Sequence, residues 1–336
     1  MTAWTDFLAN QGATLDNGII SFPNEAAAET LAVPLTHLGM LQSVGPDSAP
    51  YLHNLFSNDV NKLGEAELQL NSFNSPKGRM LASILLWREG EGHDLIISAD
   101  ILPALHKKLS MYILRSKVKL GDLSAERALI GVTGPRAAAA LQQAGLPVPE
   151  GLRSVAAAKG IQVLSLDANN YVVVVGAEQA ASVFGSLDTA GAAPAGTHAW
   201  QLAMIRAGLP LVTLATQEEF VAQMLNYELI GGVSFKKGCY PGQEIVARTQ
   251  HLGKVKKRMY RIALPAGCSA AAGTDLYSPA FGDQSAGKLV NIARLSDGSF
   301  EALAVLQTSC ADAGEIHVGA PDGPPADLLG LPYALA

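Results

Sequence analysis

The chain has 336 residues, 49% hydrophobic and 16% charged, the balance of a folded protein rather than a disordered one. At about 100–200 residues per domain it has room for two or three. A net charge of −6 excludes a general nucleic-acid coat protein, which would be strongly basic. The three cysteines, Cys239, Cys268 and Cys310, are too few and too far apart for a disulfide framework or a self-contained four-thiolate metal site.

The first six residues carry no basic run and no apolar core, so no signal peptide is expected. The long uncharged stretch 189–205 is broken by Gly and Pro and does not read as a membrane span. A reduced, cytoplasmic compartment is the default for such a chain. Strands are expected at 18–22 and 35–41, and a helix over 48–61 with Leu52, Leu55, Phe56 and Val60 at helical spacing. Residues 67–73 alternate as a strand does, and 80–87 with 94–98 form a hairpin around Gly90-Glu91-Gly92. An amphipathic helix follows over 102–114, then an alternating strand at 115–120 and an apolar strand at 126–133. Gly134-Pro135-Arg136 opens an Ala-rich helix. Two strands flank Asn169-Asn170, a short helix follows Gly176-Ala177-Glu178, and the Gly/Ala/Pro-rich segment 184–197 reads as a loop. A helix over 199–207 stops at Gly208, with Pro210 beyond it. After about residue 256, short strands separated by Gly and Pro predict a small β-barrel. The whole reads as α+β.

The segment richest in chemistry runs from Gly231 to Thr249 and reads as strand, turn, helix. Pro241 and Gly242 fit positions i+1 and i+2 of a type II turn. Glu244 and Arg248 stand one helical turn apart, where a pair adds about 0.2–0.5 kcal/mol. Cys239 precedes the helix, with Lys236 and Lys237 beside it. Both features favour the thiolate over a thiol of pKa about 8.5, although a free cysteine is most commonly a small buried residue. Eight of the 24 Lys and Arg residues fall between 236 and 261 (Lys236, Lys237, Arg248, Lys254, Lys256, Lys257, Arg258 and Arg261), with only Glu244 opposing them. A second basic stretch holds Lys107, Lys108, Arg115, Lys117 and Lys119, and Lys77 and Arg79 follow Ser75-Pro76. Such clusters can draw an anionic ligand, be it polycarboxylate, phosphate or RNA, or can be a solvated face. No P-loop, G-x-S-x-G or Rossmann fingerprint is present.

Lys237-Gly238-Cys239-Tyr240-Pro241-Gly242-Gln243-Glu244 resembles the K-G-C-Y-x-G-Q-E signature of the YgfZ family. These folate-binding proteins are related to the glycine cleavage T-protein, an aminomethyltransferase. They act in iron–sulfur cluster maturation and tRNA modification. Leu55-Phe56-Ser57-Asn58-Asp59-Val60, Ser75-Pro76-Lys77-Gly78-Arg79-Met80, Leu114-Arg115-Ser116-Lys117-Val118, Ile130-Gly131-Val132-Thr133-Gly134 and Ile205-Arg206-Ala207-Gly208-Leu209-Pro210 are similar to further family segments, in order.

The resemblance implies two interwoven α+β domains, 1–48 with 126–230 and 49–125 with 231–255, and a C-terminal β-barrel, 256–336, around a central channel. It implies tetrahydrofolate or a derivative as cofactor, with Lys77, Gly78, Arg79, Arg115, Lys117, Arg206 and Asn226 as candidate contacts. Iron–sulfur client enzymes or assembly proteins are the implied partners. Cys239 is the candidate reactive thiol, either giving one thiolate to a cluster in transit or reacting with a folate-linked one-carbon unit. Lys236, Lys237, Glu244 and Arg248 are its supports. No metal is expected to be held stably by this chain alone. Where T-proteins carry an acidic pair after the Lys77-Gly78 turn, this chain has Leu81-Ala82. Leucine cannot act as a general acid or base, so an aminomethyltransferase-like one-carbon transferase is the alternative and would need an acid from elsewhere. An RNA-binding protein is the third reading. Direct tRNA binding is not expected, since the lysines carry no cluster of aromatic residues for stacking.

Overall fold

The structure, a computed structural model, describes residues 3–23, 28–252 and 255–335. Contacts divide the chain into two compact units, each discontinuous in sequence. Residues 1–52, 60–69 and 84–200 make the first, and 53–59, 70–83 and 201–336 the second.

The first unit contains a six-stranded sheet in the order Ser154–Ala158, Ile161–Ser165, Asn170–Gly176, Arg127–Thr133, Leu31–Pro34, Ala193–Pro194. Only the last pair is parallel. The run Tyr171-Val172-Val173-Val174-Val175 is buried on both faces, which is why it is continuously apolar rather than alternating. Val173 and Val175 face a core completed by Trp4, Leu8, Ile130, Val132 and Phe184. A five-stranded sheet orders Leu68–Asn74, Met80–Glu89, Gly92–Ser98, Leu38–Val44 and Lys119–Asp122. Residues 70–74 of its first strand and 80–83 of its second belong to the second unit.

Several elements differ from the sequence expectation, each for a local reason. The strand expected at 35–41 is two strands, Leu31–Pro34 and Leu38–Val44, because the Leu38 N–H closes a turn onto the Leu35 carbonyl at 3.0 Å. The strand expected at 115–120 begins only at Lys119. Leu114 adopts a left-handed φ of 46°, and the Lys117 N–H bonds the Asp47 carboxylate at 2.7 Å rather than a strand. Half of the loop expected at 184–197 is helix, Ala180–Thr189. Val183, Phe184 and Leu187 are buried at helical spacing, and that stripe outweighs the cost of Gly185. The helix expected over 48–61 stops at Leu55.

In the second unit a closed six-stranded barrel orders Lys257–Leu264, Phe300–Gln307, Gly287–Arg294, Asp275–Tyr277, Ile316–Val318 and Pro325–Leu329. Ile262, Leu264, Leu289, Ala302, Ala304 and Leu306 fill one core. The alternate residues Met259, Leu303 and Val305 join a second, with Ile205, Phe220, Leu225 and Tyr227. This two-sided burial makes Glu301–Leu306 a nearly unbroken apolar run. The α+β class and the C-terminal barrel are therefore both as the sequence predicts. Among the described residues no helix is long and apolar enough to cross a membrane.

Candidate functional site

The site is assembled in the second unit from three segments far apart in sequence: 53–59, 75–79 and 231–245. The stretch from Gly231 to Tyr240 is not the strand expected of it; it forms turns and irregular backbone. Its polar groups are taken by the first segment instead. Ser57 Oγ donates to the Gly232 carbonyl at 2.6 Å, and the Ser234 N–H to the Ser57 carbonyl at 3.0 Å. Asn58 Nδ2 donates to the Gly231 carbonyl at 2.8 Å. A Cβ on Gly232 would collide with the Tyr227 ring. Residues 56–59 leave the preceding helix to make these bonds, and buried backbone must be satisfied somewhere.

Lys237 is 9% exposed. Its Nζ donates to the Phe56 carbonyl at 2.6 Å and to the His53 carbonyl, and lies 4.9 Å from the centre of the Tyr240 ring. Burial pushes its pKa down to about 8, with the charges of Asp59 and Cys239 opposing that shift. Asp59 Oδ1 lies 3.2 Å from His53 Nδ1, and both side chains are 13% exposed. Cys239 is exposed, whereas Cys268 and Cys310 are buried. The reactive thiol expected from the sequence is thus the one cysteine open to solvent, on a loop pinned by buried Lys237 before it and buried Tyr240 after it.

The depressed pKa of Lys237 has a sign that can be tested. Between about pH 8 and the ordinary lysine value of about 10.4, the unfolded chain holds a proton at this residue that the folded chain has lost. Stability contributed by this residue therefore rises with pH through that window. The denaturation midpoint of the wild type, relative to Lys237→Met, should increase from pH 7.5 to pH 10. A constant or falling difference would refute the assignment.

The turn at Pro241-Gly242 is as predicted. Gly242 has φ +78°, and the Gln243 N–H bonds the Tyr240 carbonyl at 3.1 Å. The helix Gln243–Leu252 follows. The turn at 75–79 presses against it. A Cβ on Gly242 would stand 2.5 Å from the Ser75 carbonyl oxygen and 2.6 Å from the Gly78 Cα, and one on Gly78 2.9 Å from the Ile245 Cβ. Gln223 Nε2 donates to the Val246 carbonyl at 2.6 Å.

The structure thus brings Lys77, Gly78 and Arg79 to the Cys239 motif. Lys77 and Arg79 are exposed, and the Arg79 guanidinium bonds the Glu219 carbonyl. Lys236 is exposed beside Lys237. Glu244 and Arg248 are both exposed, and among the described residues no ion pair joins them, since holding two long solvated side chains in one geometry gains little. Arg206 grips Glu301 through Nε at 3.1 Å and Nη2 at 2.7 Å. Asn226 is fully buried in a left-handed conformation, φ 56°, and its Nδ2 donates to the Met259 carbonyl at 2.8 Å. Arg115 and Lys117 are exposed in the first unit. Leu81 and Ala82 are buried.

The basic run 236–261 is not one charged face. Lys237 and Arg258 are buried, Arg258 against Glu228, and Arg261 Nε lies 3.7 Å from Glu301. Lys254 lies outside the described residues.

Sequence reasoning assigned no role to His53, Asp59, Ser57 or Asn58. The only signal was the family-like segment that contains most of them. It also missed a set of buried polar atoms without protein partners: both amide atoms of Asn74, Ser75 Oγ and Gln223 Oε1. Asn74 and Ser75 lead into the 75–79 turn, and Gln223 holds the motif helix. Buried polar groups are nearly always satisfied, so such a group marks a place where something else supplies the partner. Among the described residues no cluster of three or more His, Cys, Asp or Glu could hold a metal ion.

A model of the GCVT N-terminal domain matches residues 27–148. The tRNA-modifying protein YgfZ of Yersinia pestis is 30% identical over 314 residues, covering 90% of this chain and 92% of that protein. That of Cronobacter sakazakii is 33% identical over 250 residues, 72% of this chain and 75% of that protein. The chain belongs to the YgfZ family. The glycine cleavage system aminomethyltransferase T of Bartonella henselae superposes with a TM-score of 0.80 over 99% of this chain and 98% of that one, at 16% identity. The YgfZ-family chain therefore has the T-protein fold.

Proposed function

We propose that this protein is a folate-binding accessory factor for the assembly or repair of iron–sulfur clusters in radical enzymes, including those that modify tRNA, and that the thiol of Cys239 is its reacting group. The observation that carries the reading is the setting of Cys239, a solvent-exposed sulfur on a loop immobilised by Lys237, Ser57 and Asn58. A reactive thiol needs access together with a cationic neighbour, and a packing cysteine needs neither. The name carried by its relatives, tRNA-modifying protein, supports the tRNA side of the reading.

A reduced folate presents hydrogen-bond donors and acceptors side by side on its pterin ring and carboxylates on its tail. The unpartnered amide of Asn74, with Ser75 Oγ and Gln223 Oε1, fits the first. The exposed cations of Lys77 and Arg79 fit the second. Arg206 and Asn226 are engaged by Glu301 and Met259, and the proposal does not use them. A bound folate would supply a one-carbon unit. In this reading Lys237 and Ser57 hold the loop, Cys239 offers the sulfur, and Gly78 lets the two turns meet. The cluster is cargo, since this chain offers it one thiolate at most.

The test replaces Cys239 with Ala and measures tetrahydrofolate binding by calorimetry, together with tRNA methylthiolation in a strain lacking its own gene. The variant should bind folate as the wild type does, yet restore less than about a tenth of the methylthiolation. Full restoration by Cys239→Ala would sink the reading of the thiol, and absence of folate binding by the wild type would sink the reading of the ligand.

A further inference from the structure

The first unit carries a cluster of side chains that the proposed function leaves unused. Residues 101–121 hold five Lys and Arg side chains and no Asp or Glu. The helix Leu102–Met111 runs through them and buries Leu102, Leu105 and Leu109. Its C-terminal end is different. Among the described residues ten large hydrophobic side chains are exposed, and three of them stand at this one helix end: Met111 at 63%, Tyr112 at 39% and Leu114 at 87%. A fourth, Val44 at 42%, is paired in the sheet with Lys119. Exposed apolar groups gathered in one place mark an interaction surface, whereas scattered ones need no explanation.

The loop that presents them is fixed by its own backbone. The Tyr112 N–H bonds the Leu109 carbonyl at 2.9 Å, and the Ser116 N–H bonds the Ile113 carbonyl at 2.8 Å. The Lys117 N–H bonds the Asp47 carboxylate at 2.7 Å. Gly45 passes so close that a Cβ on it would stand 2.2 Å from the Lys117 carbonyl oxygen. Leu114 lies within this loop at φ 46°, a region that a leucine enters only at a cost. The fold therefore tolerates backbone strain to hold a leucine in water, where it adds nothing to the core. Lys107, Arg115, Lys117 and Lys119 are exposed on the same segment, and Lys108 is half-buried. Among the described residues no ion pair neutralises any of the five.

We infer that this end of the first unit docks on an anionic lipid surface, with Leu114 and Met111 entering the boundary between head groups and acyl chains and the cations meeting the head-group phosphates. Charge complementarity requires an anionic partner, and the apolar side chains decide which one. A nucleic acid would take the cations but offers Leu114 and Met111 no apolar phase to enter. A stable protein interface buries about 800 Å² on each partner, well beyond what four partly exposed side chains supply. A bilayer sets no such minimum, because each apolar group and each cation adds its own contribution. The chain as a whole is net negative, so an anionic surface repels the rest of the molecule and turns this end towards itself.

The experiment is sedimentation of the full-length protein with vesicles of phosphatidylcholine containing about one third phosphatidylglycerol, against vesicles of phosphatidylcholine alone. The wild type should sediment with the anionic vesicles and remain in solution with the neutral ones. Raising the salt from about 0.1 M to about 1 M, which shortens the screening length from about 10 Å to about 3 Å, should release much of it. Leu114→Asn removes the apolar side chain while accepting the left-handed backbone, so the fold is kept. It should weaken binding about tenfold. Arg115→Glu with Lys117→Glu should abolish it.

A wild type that stays in solution with anionic vesicles overturns the inference. So does equal binding by the wild type and Leu114→Asn, which would reduce the contact to charge alone. Two other occupants have their own signatures, and either one without vesicle binding overturns the inference. Retention on immobilised tRNA that the double charge reversal removes and Leu114→Asn leaves intact assigns the cations to RNA. A dimer in solution that Leu114→Asn dissociates assigns the surface to a second copy of this chain. None of these readouts involves folate, Cys239 or a client enzyme, so they stand apart from the test of the proposed function.

Discussion

Gly242→Ala is expected to lose about 2–5 kcal/mol of folding stability, the combined cost of overpacking and of a non-glycine residue held at positive φ. The added carbon would meet backbone rather than a yielding side chain: the Ser75 carbonyl oxygen at 2.5 Å, the Gly78 Cα at 2.6 Å and the Gly78 nitrogen at 2.8 Å. Gly231→Ala supplies the comparison. Gly231 has nearly the same φ, +75° against +78°, but no neighbour within 4 Å of the added carbon. It should lose only the backbone term, about 1 kcal/mol. The gap between the two in urea denaturation measures how firmly the 75–79 turn is pressed on the Cys239 loop. Equal costs would mean that the two turns are not in contact.

The second large effect concerns Glu228. Its carboxylate is paired with the Arg258 guanidinium, and the side chains are 6% and 9% exposed. Arg258 also donates to the Gln223 carbonyl at 3.2 Å. Glu228→Ala leaves a cation buried without its counter-charge and should cost about 3–5 kcal/mol. Replacing both partners with Met should recover much of that loss, because the uncompensated charge then disappears with its partner. If the double variant is no more stable than Glu228→Ala alone, the pair is not what holds these residues.

The sequence was most informative where structure is local. Pro241-Gly242 announced a turn because proline fixes φ and glycine accepts a positive one, and the helix after it followed. The barrel strands were visible from their short β-prone runs between Gly and Pro. Cys239 could be singled out because its lysines and its helix are neighbours in sequence. What stayed hidden depends on residues far along the chain. Lys237 read as a charge beside the thiol, yet its ammonium is spent on the carbonyls of His53 and Phe56, 184 and 181 positions away. Nothing in the spacing of the chain could pair His53 with Asp59 beside a loop near residue 238. The strand expected to open the 231–249 segment failed for the same reason: the Gly231 and Gly232 carbonyls and the Ser234 N–H are claimed by Asn58 and Ser57, not by a neighbouring strand. Arg115 and Ser116 looked like part of an alternating strand, but the Lys117 N–H bonds the Asp47 carboxylate instead of a neighbouring strand.

Those same long separations govern when the site can exist during synthesis. Contacts between residues far apart in sequence form slowly, because the entropy of closing the intervening loop is lost before any contact repays it. On the ribosome, where chains emerge at about 5–20 residues per second, residues 53–59 are out for some ten seconds or more before Lys237 can reach them. Through that interval the carbonyls of His53 and Phe56 wait in water, and Cys239 does not yet exist. The ordered thiol is therefore a late product of folding, available only once more than two thirds of the chain has been made.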